Sequence, residues 1–260
     1  MKIGAQLYTV HDYTKTLEGI EESFKKIADM GYTSVQVSGT CKYEAEWMKE
    51  MLDKYGLECP ITHSDIPAIA ADTDNVIAFH KTMGVKYIGM GGMRGLWSAE
   101  YKEDPYKVQD DFVRDYVPAG KKIAAAGCYM MYHNHAGEFA PRPDGTLLMD
   151  YLLENFTEEA MGFTLDVHWV KAGGHDPVEW LNKLKGRTPC VHFKDLITTD
   201  EGKFKYAPVG AGELDFDAII ETCQNNGVEY AFVEQDDCYG EDPFKCLKSS
   251  LDYLHSKGLK

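Results

Sequence analysis

The chain has 260 residues, with 42 acidic side chains against 27 basic ones and a formal charge of −15. That balance excludes unaided nucleic-acid binding, which needs a basic face, and attachment to an anionic membrane surface. A hydrophobic fraction of 44% with 12% aromatic residues argues against disorder, and the length suits one α/β barrel or two smaller domains.

In chain order, short apolar runs alternate with amphipathic ones. Residues 3–8 read as a strand. A helix follows over 17–30, with Leu17, Ile20, Phe24 and Ile27 on one face and Gly31 after it. The pattern then repeats: strand 34–37 and helix 43–55, strand 58–62 and helix 73–83, strand 87–90 and helix 106–126. It continues with strand 129–133 and helix 147–155, strand 162–166 and helix 178–183, strand 190–193 and helix 216–225, and strand 230–234 and helix 244–255. The strands are apolar without in/out alternation, as expected of strands buried on both faces. Asp104-Pro105, Asp176-Pro177 and Asp242-Pro243 each open a helical run, aspartate capping the first amides and proline fitting the first turn. Eight such units of about 32 residues predict a single (β/α)8 TIM barrel, an α/β fold of one domain spanning 1–260. A doubly wound sheet is disfavoured because no Gly-rich phosphate fingerprint follows the first strand.

The segment MKIGAQLYTV lacks the basic and long apolar regions of a signal peptide, and no apolar stretch of about 18 residues exists. The seven cysteines are scattered without a Cys-x-x-Cys pair, so reduced thiols in a cytoplasmic protein are expected.

Active sites of such barrels lie at the C-terminal strand ends. The fifth strand ends in His133-Asn134-His135 with Glu138 a little later. The sixth ends in Asp166-Val167-His168, the seventh in His192-Phe193-Lys194-Asp195, the eighth in Glu234-Gln235-Asp236, and the third in Thr62-His63. Four consecutive strands thus carry Glu138, Asp166, His192 and Glu234 towards one point. Three carboxylates and an imidazole repel one another unless a cation sits between them, and mixed O/N ligation suits a divalent metal. Asp195 and Asp236 read equally well as helix caps, and Trp169 and Trp180 as rim packing.

The segments HNHAGEF (133–139), LDVHWVKAGGHDPVEWL (165–181), VHFKD (191–195), VGAGELDF (209–216) and FVEQD (232–236) resemble the xylose isomerase-like barrel superfamily over the whole chain. That sugar phosphate isomerase/epimerase group includes D-tagatose 3-epimerase, hydroxypyruvate isomerase, inosose dehydratase and the endonuclease IV fold. The resemblance implies one divalent metal ion, with Mn²⁺ first and Co²⁺, Zn²⁺, Fe²⁺ or Mg²⁺ as alternatives. It would be held by Glu138, Asp166, His192 and Glu234, with Glu138 and Glu234 as the catalytic proton carriers. Relatives place the first glutamate directly at the strand end, where this chain has histidines, so His133 or His135 is the alternative first ligand. His63, His133, His135, His168, Lys194 and Arg94 are the expected substrate contacts.

The expected chemistry is proton abstraction next to a carbonyl through an enediolate, on a keto-sugar without phosphate. Isomerisation, epimerisation and elimination (an inosose-type dehydratase or a 3-keto-glycoside lyase) share that step. Endonuclease IV-like repair conflicts with the acidic charge, and a non-catalytic sugar-binding barrel conflicts with the acid-rich centre. The expected partner is a small sugar, with no nucleic acid and no membrane; assembly into a homo-oligomer is left open.

Overall fold

The computed structural model describes residues 1–96 and 98–260. In it, β1 (Lys2–Gln6) is followed by a 3-10 segment (Leu7–Tyr13) and α1 (Leu17–Met30). β2 (Ser34–Val37) leads to α2 (Ala45–Tyr55), and β3 (Glu58–His63) to α3 (Ile66–Ala71) and α4 (Thr73–Met83). After β4 (Tyr87–Met90) come α5 (Ala99–Glu103) and α6 (Pro105–Ala125). After β5 (Tyr129–His133) comes α7 (Leu148–Asn155); after β6 (Met161–Asp166) come α8 (Val167–Ala172) and α9 (Pro177–Lys183). β7 (Cys190–Phe193) runs into a hairpin, β8 (Asp195–Thr198) and β9 (Phe204–Ala207), before α10 (Phe216–Asn226). β10 (Tyr230–Val233) and α11 (Pro243–Ser256) close the chain.

Eight parallel strands form a closed barrel in the order β1-β10-β7-β6-β5-β4-β3-β2, so the predicted (β/α)8 architecture is observed. The three Asp-Pro caps form: Asp104 accepts from the Lys107 amide, Asp176 from Val178 and Glu179, and Asp242 from Phe244. Ile20, Phe24 and Ile27 are buried, whereas Leu17, at the first helical position, is 37% exposed.

The barrel interior is filled by Ile61, Tyr87, Met131, Cys190, Tyr230 and Phe232. Gly4 makes room for them, since a Cβ there would lie 2.6 Å from the Phe232 ring. This plug fills the barrel below the C-terminal strand ends, so the strand-end side chains face a site above it.

Two departures from the sequence reading matter for that site. β1 stops at Gln6 because the Gln6 side chain accepts from the Tyr8 amide at 3.0 Å and turns the chain into the 3-10 segment, which puts Tyr8 on the rim. The hairpin β8–β9 was not foreseen. It is tied down by Asp195, whose carboxylate accepts from the amides of Leu196 (2.8 Å), Leu214 (3.2 Å), Gly210 (2.9 Å) and Gly212 (3.0 Å). Asp195 thus shapes the Gly-rich loop beyond the hairpin and caps no helix. Among the described residues no helix is long and apolar enough to cross a membrane.

Candidate active site

The barrel order sets β5, β6, β7 and β10 side by side, so residues at their C-terminal ends share one quadrant of the mouth. His133 is the last residue of β5, Asp166 the last of β6, and His192 stands opposite Asp166 in the β6–β7 register. Glu234 follows β10, its amide donating to the Phe193 carbonyl. One donor atom from each of His133, Asp166, His192 and Glu234 lies within 4.8 Å of the other three. All four residues are buried, none more than 4% exposed.

Neighbouring groups fix each of these side chains. The Asn134 amide clamps the end of β6: its Oδ1 accepts from the Asp166 amide at 3.0 Å and its Nδ2 donates to the Asp166 carbonyl at 3.4 Å. Asp166 divides its oxygens, with Oδ1 accepting from the Trp169 amide at the start of α8 and Oδ2 facing the centre. His192 Nε2 lies 2.6 Å from Gln36 Oε1. An amide oxygen can only accept, so Nε2 carries a proton and Nδ1 is the atom directed at Asp166 and Glu234. Gln36 on β2 pairs in register with Gln6 on β1, and both are fully buried. Reasoning from sequence missed both, although a glutamine inside the short strand Ser34–Val37 was a signal.

Lys194 supplies a cation. Its Nζ lies 3.1 Å from Asp166 Oδ2, 2.9 Å from Glu234 Oε2 and 2.9 Å from Asp236 Oδ1, with the side chain 2% exposed. Trp169 and Tyr206 of the hairpin stand beside the ammonium, at 5.4 and 5.7 Å from their ring centroids. Burial disfavours the charge on Lys194, but Asp166, Glu234 and Asp236 outweigh it and raise its pKa. Burial likewise favours neutral Glu234, yet Lys194 and His192 hold that carboxyl well below the usual range. Burial opposes charge on His192, while Glu234 and Asp166 push it up to about 9. His63 and His135 are driven down to about 3 and about 4, chiefly by burial, so both are neutral imidazoles.

The structure sorts the remaining expected site residues. A cavity of about 410 Å³ over the cluster is lined by His63, His133, His135, Lys194, Glu234 and Asp236, among others. His63 is held by Ser38, whose Oγ is 3.1 Å from Nδ1, and its ring lies 5.3 Å from that of His133. Glu138 is not among the clustered donors. It is fully buried, accepts from the Tyr132 hydroxyl at 2.8 Å and the His135 amide at 2.9 Å, and is pushed up to about 7 by burial. The four residues between His133 and Glu138 carry the chain off the strand into a 3-10 turn, so His133 stands where the first ligand was expected.

His168 also lies off the cavity lining, its ring stacked on Tyr206 at 4.8 Å. Arg94 is a correction. Its guanidinium reaches Asp115 at 3.8 Å and borders a separate cavity with Glu100, Asp111 and Arg114, because the loop after β4 turns outward over α6. Asp236 joins the site through Lys194. Trp180 packs against Phe139 at 5.2 Å, as expected of rim packing.

The donor set fits a divalent metal. His133 Nδ1, Asp166 Oδ2, His192 Nδ1 and Glu234 Oε2 are buried and have no hydrogen-bond partner among the described residues, so the charge contacts between them lie outside hydrogen-bond alignment. With His192 neutral, as a metal ligand must be, Asp166, Glu234 and Asp236 against one ammonium leave two negative charges, which one divalent cation would balance. Two imidazoles and two carboxylates suit Mn²⁺, Fe²⁺, Co²⁺ or Zn²⁺ better than Mg²⁺.

Comparison with known proteins places this barrel. The model of the xylose isomerase-like TIM barrel family matches residues 24–255. The chain belongs to that family. It is similar to the inosose dehydratase of Geobacillus kaustophilus, 22% identical over 270 aligned residues, covering 90% of this chain and 86% of that protein. It is also similar to an L-ribulose-5-phosphate 3-epimerase of Escherichia coli, 30% identical over 138 residues, 47% of this chain and 48% of that one. A solved sugar phosphate isomerase/epimerase from Parabacteroides distasonis superposes with a TM-score of 0.78 at 22% identity, covering 98% of this chain and 93% of that one, which shows the shared fold. The relatives it matches thus include a dehydratase and an epimerase.

Proposed function

We propose that this chain is a one-base isomerase of an uncharged keto-sugar. The observation that carries the reading is that Glu234 faces the cavity as an ionised carboxylate while Glu138 is turned away onto Tyr132. A carboxylate held ionised can accept a proton. Glu234 Oε2 is engaged with His192 and Lys194, which leaves Oε1 for the substrate. Glu234 takes the proton from the carbon beside the carbonyl, the C–H electron pair becomes the C=C of an enediolate, and negative charge moves onto the former carbonyl oxygen. The Lys194 ammonium neutralises that oxygen, and neutral His63 and His135 hydrogen-bond the remaining hydroxyls. Glu234 then returns the proton to the former carbonyl carbon, while the neighbouring hydroxyl gives its O–H proton to the former carbonyl oxygen, so the carbonyl re-forms one carbon along. A divalent cation held by His133, Asp166, His192 and Glu234 would act as a Lewis acid on the substrate oxygens.

Two-base epimerisation needs a second proton carrier on the opposite face, and Glu138 is not on the cavity. Elimination of water from the same enediolate is the second reading, favoured by the match to an inosose dehydratase over 90% of the chain. The substrate is uncharged because, among the described residues lining the cavity, Lys194 is the one cation and three carboxylates already claim it.

The test is α-proton exchange in D₂O, with Mn²⁺ present, across ketoses, inososes and 3-keto-glycosides. Deuterium should appear at the carbon beside the carbonyl of at least one neutral substrate. No exchange across the panel by metal-loaded protein refutes the chemistry. A phosphate ester preferred by kcat/KM, with the preference lost on Lys194→Ala, refutes the uncharged substrate.

A further inference from the structure

The cavity over the cluster has a neighbour. A second cavity of about 600 Å³ lies beside it, and Tyr8 and Asp236 line both. His11, Tyr13, Asp237 and Glu241 also line this second lobe.

Tyr8 stands at the junction, 40% exposed and yet held on three sides. Its amide donates to Gln6, its ring is stacked on His11 with centroids 4.7 Å apart and planes 16° from parallel, and the chain at Gly39 presses against its edge. Gly39 has φ +70°, and a Cβ there would sit 2.8 Å from Tyr8 Cδ2, so the chain has no side chain where the ring needs room. An aromatic ring left 40% exposed contributes little to stability. Held rigid between two cavities, it is a preformed platform with its ordering cost already met. Carboxylates beside an aromatic face suit a sugar ring, whose C–H face packs on the aromatic and whose hydroxyls donate to the carboxylates. Asp12, Asp236, Asp237 and Glu241 around the same lobe repel an anionic group.

We infer that the two lobes form one extended site, and that the substrate is a two-ring keto-sugar. The reacting ring would sit over the metal-ligand cluster, and a second, uncharged sugar ring would lie in the neighbouring lobe against Tyr8, within reach of Asp237 and Glu241. The identity of the reacting ring rests on the proposed function; the second ring rests on the lobe alone.

Binding and chemistry are therefore tested separately. Calorimetry and saturation-transfer NMR on the intact protein compare maltose, cellobiose and lactose with glucose and galactose. At least one disaccharide should bind tenfold or more tightly than its constituent monosaccharides. Tyr8→Ala and, independently, Glu241→Trp, which fills the lobe, should each drive that ratio towards one. Equal affinity for both classes overturns the inference, as does a preference that neither variant lowers. A disaccharide preference without α-proton exchange on any keto-sugar keeps the two-ring site and removes the chemistry. Exchange without a ring preference does the reverse.

Discussion

Glu234→Gln is expected to lower α-proton exchange by about 10³-fold or more, whereas Glu138→Gln should leave the rate per folded molecule within a few-fold of the parent. Both side chains are buried glutamates near one strand-end quadrant, so burial does not separate them. Orientation and charge do. Glu234 lines the cavity and is held ionised by Lys194 and His192, while Glu138 is enclosed by Tyr132 and the His135 amide and titrates near 7 through burial. An amide at 234 keeps a carbonyl oxygen for a cation and loses the ability to take a proton, so metal content should fall much less than rate. At 138 the amide disturbs a buried hydrogen-bonded pair, at a cost of about 1–3 kcal/mol in stability. The paired measurement is the deuterium exchange rate normalised to folded protein, with metal content on the same samples. If Glu138→Gln slows exchange as much as Glu234→Gln at full metal content, two glutamates move protons and epimerisation replaces isomerisation.

Lys194→Met is expected to act in opposite directions on the metal-free and metal-loaded protein. Without the ammonium, Asp166, Glu234 and Asp236 are left buried and uncompensated, and breaking such a buried charge network costs about 3–5 kcal/mol. The metal-free variant should therefore unfold at markedly lower temperature. Lys194 Nζ also sits against Asp166 Oδ2 and Glu234 Oε2, two of the four clustered donor atoms, so it competes with an added cation for the same oxygens. Removing it should tighten Mn²⁺ binding by on the order of tenfold or more, since a like charge near 4 Å contributes about 4 kcal/mol at an effective dielectric of 20. Excess Mn²⁺ should then restore most of the lost melting temperature by mass action. Calorimetric melting with chelator and with Mn²⁺, together with a Mn²⁺ titration, reads both effects. Unchanged Mn²⁺ affinity in the variant would show that the lysine and the cation do not share those oxygens.

The barrel was legible because its signals are local. Amphipathic periodicity over α1, the Asp-Pro openings at 104, 176 and 242 and the near-regular spacing of apolar runs each report a neighbour in sequence. The gathering of Asp166, His192 and Glu234 follows from the same register, since strand ends in a closed barrel must converge. What sequence did not show depends on loop paths. His133 and Glu138 are five residues apart, and only the turn between them decides which side chain faces the centre. Arg94 leaves the mouth because its loop passes over α6 towards Asp115. The hairpin Asp195–Ala207 was hidden because the residues that shape it, Asp195 and the amides at 210–214, are distant in sequence. Gln36 was overlooked because a glutamine in an apolar strand becomes meaningful only when its partner, His192 across the barrel, is known.

The most direct measurement is anomalous diffraction at the manganese edge from crystals grown with Mn²⁺. One anomalous peak per chain is expected, within bonding distance of His133, Asp166, His192 and Glu234, with Glu138 still on Tyr132 and the His135 amide. A peak coordinated by Glu138 in place of His133, or no peak between β5, β6, β7 and β10, contradicts this expectation.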